Sequence, residues 1–463
     1  MEKTTRAVFE EIRRNVAGID LAWRADHYVC GPRREDGECE IASFGTTTPE
    51  LHRMLGWLKE RQVESVAMES TSVYWIPATD LLESNGIEVV LVDAREVRMV
   101  PGRKSDVQDC QWLQKLHSCG LLRGAFRPPE AVAAVRSILR EKDTLTVMRT
   151  QAIQQMQKSL DQMNIRVHHA VSDIDGKTGT AIIKAIVEGE RNPLKLAALR
   201  DRRCKKSEKE IADHLTGTWR DEHLFNLGQA FKTLQFLDER IAEYDAKASQ
   251  MFSSLACAAG TSDNSGQNPH LPSSSDQKPA TKGQSNVWDI FNVQLFMGFD
   301  MTLIPGIGYR TAAIIASELG TIFDRFPDEK HFASYIGLAP SLGKSAGKNI
   351  RQKKRCKNTS RVGQALRIAA STVYRSQTAI GAFFRNVARG TDKKTAIMAT
   401  ARRMAHMIYR GVKYGKEYVD IGAEAYEARL RERTVRTVNK LIKTYNINSS
   451  EITGAGAILA ALA

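Results

Sequence analysis

Cysteine is scarce and unpatterned in this 463-residue chain: there are seven, an odd number, at Cys30, Cys39, Cys110, Cys119, Cys204, Cys257 and Cys356. No two form a Cys-x-x-Cys pair and none is matched by histidine at ligand spacing, which argues against both a zinc module and a disulfide framework. The one histidine pair, His168-His169, is adjacent in sequence. On a helix such neighbours point apart, so a solvated pair is expected rather than a ligand site. Long hydrophobic runs are also missing. No apolar stretch approaches the roughly 18 residues of a membrane span, and Met1-Glu2-Lys3-Thr4-Thr5-Arg6 lacks the core of a signal peptide. A cytoplasmic protein with no membrane partner is expected. Acid is in deficit: 67 Lys and Arg against 53 Asp and Glu leave a net charge of +14, and the pI is about 9.4. That balance favours a polyanionic partner, with nucleic acid the leading candidate.

Four of the acids that are present arrive in an informative order. Asp20 lies inside the apolar stretch Val16-Ala17-Gly18-Ile19-Asp20-Leu21-Ala22, Glu69 ends Val66-Ala67-Met68-Glu69, and Asp106 and Asp109 open a helical segment. A lone carboxylate in a buried strand costs several kcal/mol unless its charge is compensated or its pKa shifts. A divalent cation shared by the four would compensate it. The bland alternative, that Asp106 and Asp109 favour a helix N-terminus and Glu69 caps a strand, leaves Asp20 unexplained.

The length admits roughly two to four domains. Periodicity predicts strands near 15–22, 26–31 and 39–45, a helix at 48–61, a strand at 64–69, a helix at 74–84, a strand at 87–92 and a helix at 105–119. A three-strand meander followed by alternating strands and helices is an α/β layer, here assigned to 12–125. It places the four acids at one sheet edge. Pro128-Pro129 interrupts the pattern. From there Leu145, Met148, Ala152, Met156, Leu160, Met163 and Val167, and then Leu227, Ala230, Leu234, Leu237, Ile241, Tyr244, Ala248 and Met251, step by threes and fours. They predict a helical coiled-coil region over 126–252, either a self-associating arm or a bundle packed on the core. Serine- and glycine-rich 253–287 is expected to be a flexible linker. A second, mainly helical module follows at 288–425, and 426–463 forms a tail.

Two features carry chemistry in that second module. Leu303-Ile304-Pro305-Gly306-Ile307-Gly308-Tyr309 predicts a helix-hairpin-helix, in which Gly306 and Gly308 would let backbone N–H groups approach a phosphate; the alternative is an ordinary turn between packed helices. Between 341 and 376 the chain has ten Lys or Arg, including Lys344, Lys348, Arg351, Lys353, Lys354 and Arg355, and no Asp or Glu. Such a span suits phosphate contact. Ser345 lies within it, but a serine hydroxyl is a weak nucleophile until something assists removal of its proton, and no His or carboxylate is near in sequence.

Taken together, Gly18-Ile19-Asp20, Met68-Glu69-Ser70-Thr71-Ser72-Val73-Tyr74-Trp75, Gly102-Arg103-Lys104-Ser105-Asp106-Val107-Gln108-Asp109 and Tyr335-Ile336-Gly337-Leu338-Ala339-Pro340 with Ser345 to Lys348 resemble the DEDD-type transposases of the insertion sequence 110 family. The strings recur in the family's order across almost the whole chain. The resemblance implies a ribonuclease-H-like, RuvC-like front domain and a C-terminal transposase domain with a catalytic serine. It also implies a homo-oligomer, dimer or tetramer, and a bridge RNA that pairs with donor and target DNA. Asp20, Glu69, Asp106 and Asp109 match the acidic tetrad, which would hold Mg2+ or Mn2+, and Ser345 matches the serine. Ser72 and Ala346 stand where the family usually shows glycine, so Ser341 is the alternative alignment. The activity implied is insertion and excision of a mobile element by serine-dependent strand cleavage and rejoining. Its rivals are a metal-dependent junction endonuclease that needs no serine, and a non-catalytic nucleic-acid scaffold.

Overall fold

The computed structural model describes residues 10–70, 73–93, 105–260, 287–339, 342–345, 348–351, 360–415 and 420–445. They fall into two units, one ending at Arg127 and one beginning at Pro128. The first is a mixed five-stranded sheet covered by helices. Its elements are β1 (Val16–Asp20), β2 (His27–Arg33), β3 (Cys39–Phe44), α1 (Thr48–Glu60), β4 (Ser65–Glu69), α2 (Trp75–Ser84), β5 (Glu88–Val92) and α3 (Asp106–Ser118). All eight fall within about two residues of the positions that periodicity predicts.

The strands lie in the order β3-β2-β1-β4-β5. β1 pairs antiparallel with β2 and parallel with β4, and β4 is parallel to β5. As the central strand, β1 is buried along Val16 to Ile19, the pattern of a strand covered on both faces. Successive residues point to opposite sides. Ala17 and Ile19 therefore pack with Met54, Leu55 and Leu82 of α1 and α2, while Gly18 faces α3.

The second unit is helical. α4 (Glu130–Gln162) and α9 (Asp221–Gly260) form a long pair, and between them lie four short helices, α5 (Val167–Ala170), α6 (Lys177–Val187), α7 (Pro193–Ala198) and α8 (Glu208–His214). The predicted heptads are only partly a seam. Ala152, Met156 and Leu160 pack on Leu227, Ala230, Leu234 and Leu237 together with α5 to α8 in one core. Val132, Val135 and Leu139 join Ala248 and Phe252 in another, shared with the C-terminal helices. Between these cores the waist is ionic: Lys142 pairs with Asp245, and Arg149 bridges Asp238 at 2.5 Å and Asp175 at 2.8 Å. Met148, expected inside, is 47% exposed there.

The remaining elements are α10 (Val287–Met297), α11 (Tyr309–Leu319), α12 (Glu329–Tyr335), β6 (Leu342–Ser345), β7 (Lys348–Arg351), α13 (Arg361–Thr372), α14 (Ala379–Gly390), α15 (Lys393–Tyr414) and α16 (Gly422–Tyr445). Phe323, Phe332, Phe384 and Tyr409 anchor their core, and the Tyr409 hydroxyl donates to the Phe326 carbonyl at 2.7 Å. Two boundaries differ from expectation, and one module holds an element not foreseen. α9 continues to Gly260 with Phe252 and Ala256 buried, so 253–260 belongs to the helix and not to a linker; 261–286 lies outside the described residues. α16 crosses the boundary expected at 425. β6 and β7 form an antiparallel hairpin inside the module expected to be mainly helical, which it otherwise is. Among the described residues no helix is long and apolar enough to cross a membrane, and the six described cysteines are free.

Glu318 joins the helical pair to this C-terminal core. Its carboxylate, 10% exposed, takes Arg136 at 3.3 Å, Arg140 at 2.8 Å and Arg361 at 2.9 Å. Burial pushes its pKa up, but the hydrogen bond from Arg140 and the three guanidinium charges outweigh that and hold it below the usual glutamate value. Replacing one partner of a buried pair leaves the others uncompensated, at a cost of about 3–5 kcal/mol. Glu318→Ala is therefore expected to destabilise the second unit by that order in urea unfolding, and an unchanged midpoint would refute the network's structural role.

Candidate active site

Two parallel strands deliver the first pair of acids. β1 and β4 run side by side with Ile19 opposite Met68, so Asp20 and Glu69, the last residues of their strands, finish at the same sheet edge. An antiparallel pair would have sent one of them to the opposite edge.

The second pair comes from α3. Ser105 caps this helix by accepting the N–H of Gln108, and Asp106 and Asp109 occupy the first turn, where the helix dipole favours negative charge. The helix reaches β1 because residue 18 is glycine. A Cβ there would lie 2.3 Å from both the Cys110 carbonyl oxygen and the Gln114 backbone nitrogen. Two further contacts fasten the helix at its other end. The His117 Nε2 lies 2.9 Å from the Ser65 Oγ, and the Ser118 carbonyl accepts the N–H groups of Ile12 and Arg13 at 2.8 and 2.9 Å.

Asp20 registers the result electrostatically. Burial first, then the charges of Asp106, Asp109 and Glu69, push its carboxyl up to about 6. The four acids found in sequence are thus brought into one field. Four carboxylates are hard oxygen donors of the kind that magnesium or manganese takes. Among the described residues no three acidic, histidine or cysteine side chains stand close enough to hold a metal ion. The donor chemistry fits a divalent ion; a closed ligand cage is not preformed among those residues.

Two histidines of this unit escape sequence reasoning. His117 is 2% exposed and lowered by burial to about 4. His27, also lowered chiefly by burial, accepts the Ala22 N–H on Nδ1 at 3.1 Å and so pins the loop that follows Asp20. Neither lies in a motif, and a lone histidine in an apolar setting gives no signal of its partner. The His168–His169 pair does not splay as expected: the rings are 4.4 Å apart, and His169 stacks on His214 at 5.9 Å.

The candidates of the second unit separate into kinds. Ser345 ends β6 opposite Lys348, with Lys344 opposite Asn349 and Arg351 opposite Leu342. Ser341, Lys353, Lys354 and Arg355 lie outside the described residues. Arg361, counted in the basic run, is engaged with Asp143 and Glu318, so its charge is spent within the fold. The Pro-Gly-x-Gly turn follows a short 3-10 segment, Met301–Leu303, and opens α11. Gly306 has φ +89°, and a Cβ there would meet Val373 Cγ1 at 2.7 Å and the Ala369 carbonyl at 2.8 Å. Turn geometry and packing on α13 therefore already require this glycine. Gly308, the N-cap of α11, has open space around it.

Comparison with known families matches both ends of this arrangement. A DEDD transposase model of insertion sequence 110 matches residues 17–165 and so spans all four acids, and a model described as Transposase IS116/IS110/IS902 family matches 301–385 and spans Ser345. Together they cover about half of the chain. The chain belongs to the insertion sequence 110 family of transposases. A relative in Streptomyces coelicolor, described as an insertion element IS110 uncharacterized 43.6 kDa protein, is 30% identical over 120 residues. That match spans 26% of this transposase-family chain and 29% of the relative's length.

Two predictions test the geometry. Gly18→Ala forces a methyl against backbone atoms of α3, and overpacking of this sort costs about 1–3 kcal/mol; denaturant unfolding should show that loss, and none would mean the helix does not approach as described. Asp20 has a folded pKa above its unfolded one, so the fold binds its proton more tightly, and the carboxylate penalises stability increasingly as pH rises from about 4 through 6. In EDTA, Asp20→Asn should therefore raise stability at pH 8 by about 1 kcal/mol, a figure reduced for solvent contact, and change little below pH 4. Equal effects at both pH values would contradict the assignment.

Proposed function

We propose that this chain is a DNA transposase acting by strand cleavage and rejoining, with a ribonuclease-H-like front unit and Ser345 as nucleophile. The observation that carries the reading is that Asp20, at the end of β1 and raised to about 6 by burial first, also feels the charges of Asp106, Asp109 and Glu69. The strand order β3-β2-β1-β4-β5, with acids ending β1 and β4, supports the ribonuclease-H-like assignment. Net charge +14 supports a nucleic-acid substrate.

In this reading the Ser345 Oγ attacks phosphorus, forming a serine–phosphate bond as the bond from phosphorus to the strand's sugar oxygen breaks. The sugar oxygen leaves with a proton, and the serine's own proton passes to base or solvent. The phosphoserine link retains the phosphodiester energy, so a sugar hydroxyl of another strand can reverse the step and rejoin. A magnesium or manganese ion held by the four carboxylates would stabilise charge on the scissile phosphate. The chain's own contributions are to orient those carboxylates through β1, β4 and α3, to present the serine on a two-stranded hairpin, and to bind phosphates with Lys344, Lys348, Arg351, Lys353, Lys354, Arg355 and the Gly306–Gly308 turn. A bridge RNA and a homo-oligomer belong to the proposal through family resemblance, as does a cytoplasmic location.

Ser345→Ala should abolish recombination and the covalent protein–DNA adduct, read on denaturing gels with labelled element ends. Cleavage that persists without an adduct would replace this reading with a hydrolytic junction endonuclease. Asp20→Asn should lose cleavage while retaining DNA binding; full recombination by that variant would remove the acidic quartet from the mechanism. Recombination with purified protein, with and without copurified RNA, tests the guide.

A further inference from the structure

The loops that follow the two acid-bearing strands carry an aromatic surface that none of the proposed catalytic steps uses. Trp23 is 60% exposed, and Val73 and Ile76 beside Tyr74 are 61% and 39% exposed. Isolated exposed apolar residues are ordinary. These are organised: the Trp23 and Tyr74 rings lie 6.2 Å apart and within 19° of parallel, and the Arg24 guanidinium sits 4.1 Å from the Trp23 centroid. The loop between β1 and β2 is anchored beneath them, because the buried His27 ring accepts the Ala22 N–H. Its position follows from the chain. Trp23 is three residues beyond Asp20, so their Cα atoms are at most about 11 Å apart, and Tyr74 is five residues beyond Glu69.

We infer that Trp23, Tyr74 and Arg24 form a stacking platform for an unpaired nucleobase beside the acidic quartet. The inference rests on the reading of that quartet as a DNA-cleaving site. A paired base has both faces covered by its neighbours, so only a base released from a duplex offers a face to a side chain. Strand exchange requires such bases next to the phosphate being exchanged. Every base has a π face, so the platform is indifferent to sequence. A base stacked on an aromatic ring is worth more than an exposed cation–π contact. The incoming base therefore displaces Arg24 from the indole, and the freed guanidinium is left beside the nucleotide's own phosphate. A protein partner would also use Trp, Tyr and Arg, but the position of the platform directly after the strands that end in Asp20 and Glu69, the proposed cleavage site, favours a substrate segment over a docking peptide.

The test is binding of full-length protein, in EDTA, to three oligomers of equal length and charge: oligo-dT, oligo-rU, and a chain of abasic tetrahydrofuran phosphates. Trp23→Ala should weaken oligo-dT binding by about tenfold, and an equal loss on oligo-rU would show that the platform takes bases of either strand type. Abasic binding should stay unchanged, and Trp23→Phe should recover most of the loss. An equal loss on the abasic chain, or no loss on any oligomer, overturns the platform. If the variant loses nothing while wild type still binds and recombines DNA, the platform alone fails. If wild type binds no nucleic acid, the platform and the reading beneath it both fail.

Discussion

The close approach of α3 to β1 at Gly18 is the contact on which the rest of the front unit depends. Helix and strand backbones meet there at a distance that leaves no room for a side chain, and Asp106 and Asp109 come within the field of Asp20 only because they do. Like charges gathered at a half-buried position work against folding. The fold offsets them by fastening the same helix elsewhere, through the His117–Ser65 bond, the Ser118 carbonyl, and the burial of Cys110 and Leu113. Sites that hold perturbed acids in this way are commonly functional, since stability alone would select against them.

The second unit solves a different problem. Its long helices are too extended for a single core, so apolar residues gather near the two ends of the pair and ion pairs hold the waist. That division makes Glu318 a junction, drawing Arg136 and Arg140 from the helical pair and Arg361 from α13 onto one carboxylate. It also withdraws Arg361 from the basic run. A cation committed to a buried acid is unavailable to phosphate, whereas Lys344, Lys348 and Arg351 belong to a hairpin with its own two-strand pairing.

Much of this was legible in advance. Strands and helices of the front unit follow their periodicities because each has one strongly buried face, and Asp20 stands out because a carboxylate is costly in an apolar strand. The serine-bearing hairpin escaped notice because Lys344 to Arg351 has few apolar residues and no alternation to mark a strand. The helix end at Gly260 was hidden by Ser253-Ser254, whose composition resembles the linker that follows, although Phe252 and Ala256 are buried. Met148 fits the heptad by spacing and fails it in space, since an ionic waist lies at that level. Arg361 reads as one more cation in an acid-free run, because its partners Asp143 and Glu318 are distant in sequence.

By itself, the sequence determined the order of elements in the front unit, the positive charge and the oddity of Asp20, because these follow from periodicity, composition and the cost of burying charge. Tertiary structure alone decided which groups meet: that Gly18 is a point of contact, that His27 and His117 are fasteners, and that Trp23 and Tyr74 stack. Such pairings join residues many positions apart, and only the path of the folded chain sets the distance between them.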